Sequence, residues 1–286
     1  MKEKLNIRDV FKIIIKVIIL VAGVVILSGA FTLLFSFLFY GQAYFISDYK
    51  NAMLAMLLGT TGQLTAAILF IKFILKKKID YIFFKKEKLA KNIVIGLFFG
   101  FLQISIYLLV EIARSVLEYG GSNLGNINFI FLIYFIGFFI QSTSEEFLVR
   151  GIFTRVLLDR LGKNIAIILP SIVFGLLHLG NDGATFLSTL NTILVGIFFA
   201  KLLFYKNNIM LTSGVHAGWN FSMSMIYGFP VSGVAGFNSL LNFKVLNFDM
   251  YDKVYGPEGS IVVTFIEIIS IFIIFYLERR KEVKNG

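Results

Sequence analysis

Long uncharged apolar runs alternate along this chain with short polar or basic segments. The first clear run covers residues 17–39, about 23 residues without a charge. Because an α-helix rises 1.5 Å per residue, a run of about 20 residues crosses a hydrocarbon core of about 30 Å. The apolar part of a cleavable signal peptide is only about 7–15 residues long. The pattern therefore predicts a retained first membrane span rather than a signal peptide.

Eight runs of this kind predict an all-α fold, a polytopic membrane helical bundle with both termini cytoplasmic. The predicted spans are 17–39, 52–75, 93–116, a fourth that begins near 127 and ends on 141–151, then 165–178, 186–204, 209–227 and 261–277. Asp48, Tyr49 and Lys50 are predicted to form the loop between the first two. We expect one integral-membrane domain, comprising N-terminal spans (1–120), a core (127–227), an extracytoplasmic loop (228–260) and a last span with a basic tail (261–286).

Composition supports this class and excludes several chemistries. Hydrophobic residues make up 57% of the chain and charged residues 15%, whereas about 25% charged residues is usual in soluble domains. The chain has no cysteine. Disulfides, thiolate metal sites and a cysteine nucleophile are therefore excluded.

The net charge of +10 first suggests nucleic acid, but its distribution favours membrane topology. With the N-terminus inside, 21 of the 27 lysines and arginines fall in cytoplasmic segments, three outside and three within spans. This asymmetry fits the positive-inside rule. Residues 76–91, basic and interleaved with aromatics, are predicted to lie on anionic membrane lipid. We expect lipid as a partner and no nucleic acid.

Candidate chemistry is concentrated in 141–151, read QSTSEEFLVRG. A charge within a membrane helix costs about 2.5–3.5 kcal/mol on insertion scales. The presence of Glu145, Glu146 and Arg150 in a predicted span therefore indicates that these residues have a function. Glu146 and Arg150 are four residues apart and share a helix face, so we expect them to pair. Glu145 is rotated by about 100° and is left for chemistry as a general base. Near a span end, Glu111 is expected to pair with Arg114. Glu267 lies within the last predicted span, and the sequence explains its presence there only by a partner within the bundle.

The only two histidines, His178 and His216, both lie in apolar spans. His216 and Asn220 are four residues apart and offer two donors to one point, as stabilisation of an oxyanion requires. Counting residues from the cytoplasmic ends of the spans places these groups at similar depth. We expect the site to be reached from the cytoplasmic half.

Two other interpretations stay open at this stage. The same polar groups could form a buried network that only fixes helix packing. Two glutamates and two histidines could also bind zinc, although no HExxH motif is present and Arg150 already supplies positive charge. We expect no cofactor, with zinc as the minority alternative.

Three motifs in this order resemble the CPBP family of CAAX prenyl endopeptidases and bacteriocin-processing (Abi-type) intramembrane proteases. They are EExxxR at 145–150, FxxxH at 174–178 and HxxxN at 216–220. The resemblance implies a glutamate-type intramembrane endopeptidase in which Glu145 and His178 activate a water. It implies that His216 and Asn220 hold the oxyanion and that Glu146 and Arg150 support the site.

The resemblance further implies a membrane-associated peptide or protein as substrate, and composition suggests a bacterial plasma membrane. A bacteriocin, a signalling peptide or a membrane-anchored protein is the expected substrate type. One alternative is a non-catalytic immunity or regulatory protein that binds a membrane-protein partner. A proton-coupled transporter is the other, although no inverted repeat or broken helix pair is visible.

Overall fold

The computed structural model describes residues 7–40 and 49–285 and is an all-α bundle with one small sheet, which confirms the predicted fold class. The α-helices of the described part are α1 (Ile7–Tyr40), α2 (Tyr49–Leu69), α3 (Leu89–Ala113), α4 (Phe129–Glu146), α5 (Thr154–Leu161), α6 (Lys163–Leu177), α7 (Phe186–Lys206), α8 (Ile209–Phe221) and α9 (Ile261–Asn285). The strands are β1 (Leu117–Ser122) and β2 (Leu241–Val245).

Within the described residues, six helical segments are long and apolar enough to cross a membrane. They are Met56–Ile74, Leu89–Ala113, Phe129–Leu161, Lys163–Gly180, Phe186–Lys206 and Ile261–Val283. The count of eight spans and the cytoplasmic placement of both termini stay predictions. Of the predicted loop between the first spans, Asp48 lies outside the described residues. Tyr49 and Lys50 begin α2, so the helix starts earlier than predicted.

Helix α8 lies at the centre of the bundle, and its residues from Ile209 to Asn220 are all buried. Small residues on one face explain how it packs against α3. A Cβ placed at Gly218 would lie 2.3 Å from the carbonyl oxygen of Leu97, and one at Gly100 would lie 2.1 Å from that of Val215. Small residues four apart let two membrane helices approach to backbone contact. The glycine face points to α3, which fixes the direction in which His216 points.

Residues 228–260, here called the strap, form a folded cap rather than an open loop. Strand β2 pairs antiparallel with β1, with Leu117 opposite Val245. Buried Phe229 and Val231 extend the main hydrophobic core formed with α3, α4 and α8. The pairing places the ends of α3 and α8 at the same end of the bundle.

Three polar contacts of Asn191 on α7 hold the end of the strap. Its side-chain amide donates to the carbonyl oxygens of Glu258 (2.8 Å) and Ser260 (2.9 Å), and its own oxygen accepts from Thr264 on α9 at 2.6 Å. The Ser260 hydroxyl in turn donates to Glu111 at 3.2 Å. Glu111 pairs with Arg114 at 2.9 Å, which confirms that predicted pair.

The basic segment 76–91 differs in part from the expected lipid-facing element. A short 3₁₀ turn, Ile79–Ile82, turns Ile82 and Phe83 inward, where both are buried against Phe147 and Ile209. Its lysines, among them Lys76–Lys78, are exposed. The apolar residues of the segment therefore anchor it to the helical bundle, while its lysine side chains remain exposed on the surface.

Candidate active site

Two of the three motif-bearing helices, α4 and α8, change to a π-helical geometry next to their polar residues. Helix α4 ends at Glu146 and continues as a π-helical turn, Phe147–Phe153, that carries Arg150. Helix α8 continues as a second π turn, Ser222–Ile226, just after Asn220. Turns of this kind are rare and are often found at functional sites. The helix is wider than expected at Arg150, but the predicted pairing of Glu146 with Arg150 four residues later is confirmed.

Glu146 and Arg150 form an ion pair at the centre of the bundle. The distance between Arg150 Nη1 and Glu146 Oε1 is 3.2 Å, and the two side chains are 1% and 0% exposed. The same oxygen lies 3.2 Å from His216 Nδ1. Because ionised Glu146 only accepts hydrogen bonds, His216 donates through Nδ1. Glu146 therefore holds both a guanidinium and an imidazole in fixed positions.

Aromatic rings enclose the guanidinium of Arg150. It lies 4.2 Å from the ring centre of Phe174 and 5.3 Å from that of Phe199. Rings flanking a cation in this way stabilise it where water is absent. Phe174 also contacts the His178 ring, with ring centres 4.5 Å apart and an edge-to-face arrangement. One phenylalanine thus connects the buried pair to the second histidine.

Gln141 links Glu145 with Asn220 and was given no role in the sequence analysis. Its amide nitrogen donates to Glu145 Oε1, and its oxygen accepts from Asn220 Nδ2 at 3.2 Å and from the Ser142 hydroxyl at 3.1 Å. Gln141 therefore positions the carboxylate and the amide relative to each other. Its place at the start of QSTSEEFLVRG, one helical turn before Glu145, was the available signal.

His178 begins a 3₁₀ turn, His178–Gly180, at the end of α6. Its Nδ1 lies 2.8 Å from the carbonyl oxygen of Phe174. A carbonyl only accepts, so Nδ1 carries the proton and the neutral ring presents its lone pair at Nε2. The backbone thereby selects the tautomer that can accept a proton at Nε2.

One cavity of about 270 Å³ brings the predicted residues together. Its walls include Glu145, His178, His216 and Asn220, while Glu146 and Arg150 lie behind them. Glu145 Oε2 is 3.8 Å from His216 Nε2. Two further carboxylates that the sequence analysis did not place here, Glu258 and Glu267, also line the cavity.

The cavity extends to the strap, because Val231 and Ser232 form part of its wall. The expected access to the site from the cytoplasmic half stays a prediction. A neighbouring groove of about 530 Å³ between α1 and α6 also reaches Glu145 and His178.

The described residues do not provide a set of donors that fits zinc, the alternative left open by the sequence. No group of three or more histidine, cysteine, aspartate or glutamate side chains among them is arranged to hold a metal ion. We therefore derive no chemical step through a metal.

Fold and cavity together define a multi-pass membrane protein with a carboxylate–histidine site inside its helical bundle. Residues 127–222, about a third of the chain, match the family model described as type II CAAX prenyl endopeptidase Rce1-like. The match confirms the resemblance to the CPBP family and supports a CAAX-type membrane protease. It ends just after Asn220 and does not include the strap. No curated protein and no solved structure matches the chain.

Proposed function

We propose that this protein is an intramembrane endopeptidase that hydrolyses a peptide bond by a water activated between Glu145 and His178. The observation that carries the proposal is the shared cavity, in which both residues face His216 and Asn220 over a buried ion pair. A carboxylate held by Gln141 and an imidazole with its lone pair at Nε2 are two proton acceptors at one site.

In the proposed reaction, Glu145 removes a proton from water as its oxygen attacks the scissile carbonyl carbon. The new C–O bond forms and the carbonyl oxygen becomes an oxyanion, which accepts from Asn220 Nδ2 and His216 Nε2. A donor at His216 Nε2 requires the doubly protonated ring, and Glu146 and Glu145 are placed to neutralise it. Collapse breaks the C–N bond, and the proton passes from Glu145 to the leaving amine.

We further propose a membrane-associated peptide or protein as substrate and the bacterial plasma membrane as location. The apolar groove beside α1 supports a substrate presented from the membrane. A bacteriocin, a signalling peptide or a membrane-anchored protein is the proposed substrate type.

Cleavage of membrane-anchored fluorogenic peptides in detergent tests the proposal. We expect Glu145→Gln and His178→Ala to lower kcat by about 10²–10⁴-fold, the range for loss of a general acid or base. Glu118→Gln on β1 is the matched control, because that side chain is exposed. Activity that survives a chelator would support hydrolysis without a metal. Unchanged turnover in Glu145→Gln would overturn the proposal.

A further inference from the structure

The cavity that the motif residues line also carries two carboxylates that the proposed reaction does not use. Glu258 comes from the strap and Glu267 from α9, and both line the cavity with Glu145. None of the described residues that line it is a lysine or arginine. The cavity therefore has three acidic side chains and no permanent cation in its wall.

Glu267 is buried without a partner for one of its oxygens. The residue is 1% exposed, and its Oε2 has no hydrogen-bond partner in the described structure. Burying a carboxylate is costly unless a hydrogen bond or an opposite charge compensates it. A side chain of this kind in a cavity wall indicates that its partner is supplied by a ligand.

Glu258 is held in position by the strap itself. Its Oε2 accepts from the backbone N–H of Ser232 at 2.7 Å and from the Ser232 hydroxyl at 2.6 Å. Asn191 fixes the backbone on either side of it by binding the carbonyl oxygens of Glu258 and Ser260. The carboxylate is thus preorganised at the cavity wall before any ligand arrives.

Apolar residues complete this end of the cavity, including Val231, Val234, Phe237 and Val263. An alkyl chain that ends in a positive charge matches such a lining, because its carbons contact the apolar walls while its head pairs with the carboxylates. Lysine and arginine side chains and the α-ammonium group of a peptide have this chemistry.

We propose that Glu258 and Glu267 form a subsite for a cationic group of the substrate, an ammonium or guanidinium next to the scissile bond. The proposal rests on the proposed function for the identity of the ligand as substrate. The subsite itself is a binding site and exists whether or not the bond is cleaved. A neutral or acidic residue at this position would leave Glu267 without its partner.

Binding of small probes tests the subsite independently of catalysis. The full-length protein carrying Glu145→Gln is titrated by calorimetry in detergent with n-butylammonium chloride, and n-butanol serves as the neutral control. This background removes Glu145 as a competing anion. We expect n-butylammonium to bind at least tenfold more tightly than n-butanol. Adding Glu267→Gln or Glu258→Gln should weaken ammonium binding by about 10-fold to 100-fold and leave n-butanol unchanged.

Equal affinity for the two probes, or ammonium binding that neither substitution weakens, would overturn the subsite. Two separate variants keep the test decisive if one of them fails to fold. A second arm compares membrane-anchored peptides with lysine or norleucine at each position near the cleavage site. We expect the lysine preference to appear in KM and to disappear in Glu267→Gln. Carboxylate-dependent ammonium binding without cleavage of any peptide would retain the subsite and remove the proposed function.

Discussion

The two walls of the cavity are held by different interactions. Helices α4 and α8 fix their wall through a buried ion pair, two enclosing aromatic rings and glycine contacts between backbones. The strap forms a second wall, which is fixed through hydrogen bonds from Asn191 and through aromatic packing on the core. The first wall combines an ion pair between residues four apart in the sequence with contacts between distant helices, whereas the contacts named for the second wall all join distant parts of the chain. Substitutions should therefore affect the two walls differently.

The largest effect is expected for Arg150→Met. Removing the guanidinium leaves the buried Glu146 carboxylate with only its hydrogen bond from His216, and breaking a buried ion pair in this way costs about 3–5 kcal/mol. The change should lower the Tm of the purified protein strongly and disturb His216, which shares Glu146 Oε1. Thermal unfolding in detergent measures it.

Arg160→Met is the matched control, because Arg160 is exposed and its loss should change Tm little. The double variant Arg150→Met with Glu146→Gln should regain part of the lost stability, since the unpaired charge is then gone. No recovery in the double variant would show that the rings around Arg150, rather than the ion pair, stabilise this wall.

The next largest effect is expected for Gly218→Val. The substitution should lower the free energy of unfolding by about 3 kcal/mol, the upper end of the range typical of overpacking. Its Cβ would meet backbone atoms of Leu97 on α3, and these cannot rotate away as a side chain can. Gly29→Val on α1 introduces the same residue where a Cβ meets nothing within 4 Å. Equal losses of Tm in the two variants would contradict the role of the α3–α8 contact.

The wall formed by α4 and α8 could be predicted from the sequence far better than the wall formed by the strap. Helical spacing is enough to pair Glu146 with Arg150 and to place His216 near Asn220, because residues four apart share a face. The contacts of Gln141 with Asn220, and of Asn191 with the strap, join residues that are distant in the chain, and no local periodicity encodes them. Glu258 was missed because its loop position gave no indication of a cavity. The π turns were missed because the apolar pattern does not distinguish a wider helix from an α-helix.

Asn191→Ala tests how the strap is held. The substitution removes two hydrogen bonds to buried carbonyl groups and one from Thr264, and unsatisfied buried groups cost about 1–3 kcal/mol. We expect a moderate loss of Tm together with a higher KM for the preferred peptide, because the position of Glu258 is no longer fixed. Asn164→Ala, at an exposed position of α6, should change neither quantity. A lower kcat with unchanged KM would contradict the separation of the two walls.

The smallest effect is expected from Glu258→Gln on the pH dependence of stability. Burial raises the pKa of Glu258 above its ordinary value of 4.5, against the opposing influence of its hydrogen bonds from Ser232 and of nearby His178 and His216. A raised folded-state pKa gives stability that is present below pH 4.5 and lost as pH rises through the folded-state pKa. As pH rises from 4.5 through the folded-state pKa of Glu258, wild type should therefore lose stability relative to the variant. Thermal unfolding from pH 4 to pH 8 measures this, and Glu118→Gln should follow wild type.

The π-helical turn Phe147–Phe153 has a consequence for how this segment tolerates changes in length. A π turn accommodates one more residue than the α-helical turn it replaces. Deleting a single residue within 147–153 would restore α-helical winding, so the helix beyond the turn would keep its orientation while the residues of the turn itself would point in new directions. Arg150 would then no longer be held where it meets Glu146. Chains that share this site should accordingly keep the length of this segment even where its side chains differ, and an alignment gap there would mark a site that no longer assembles.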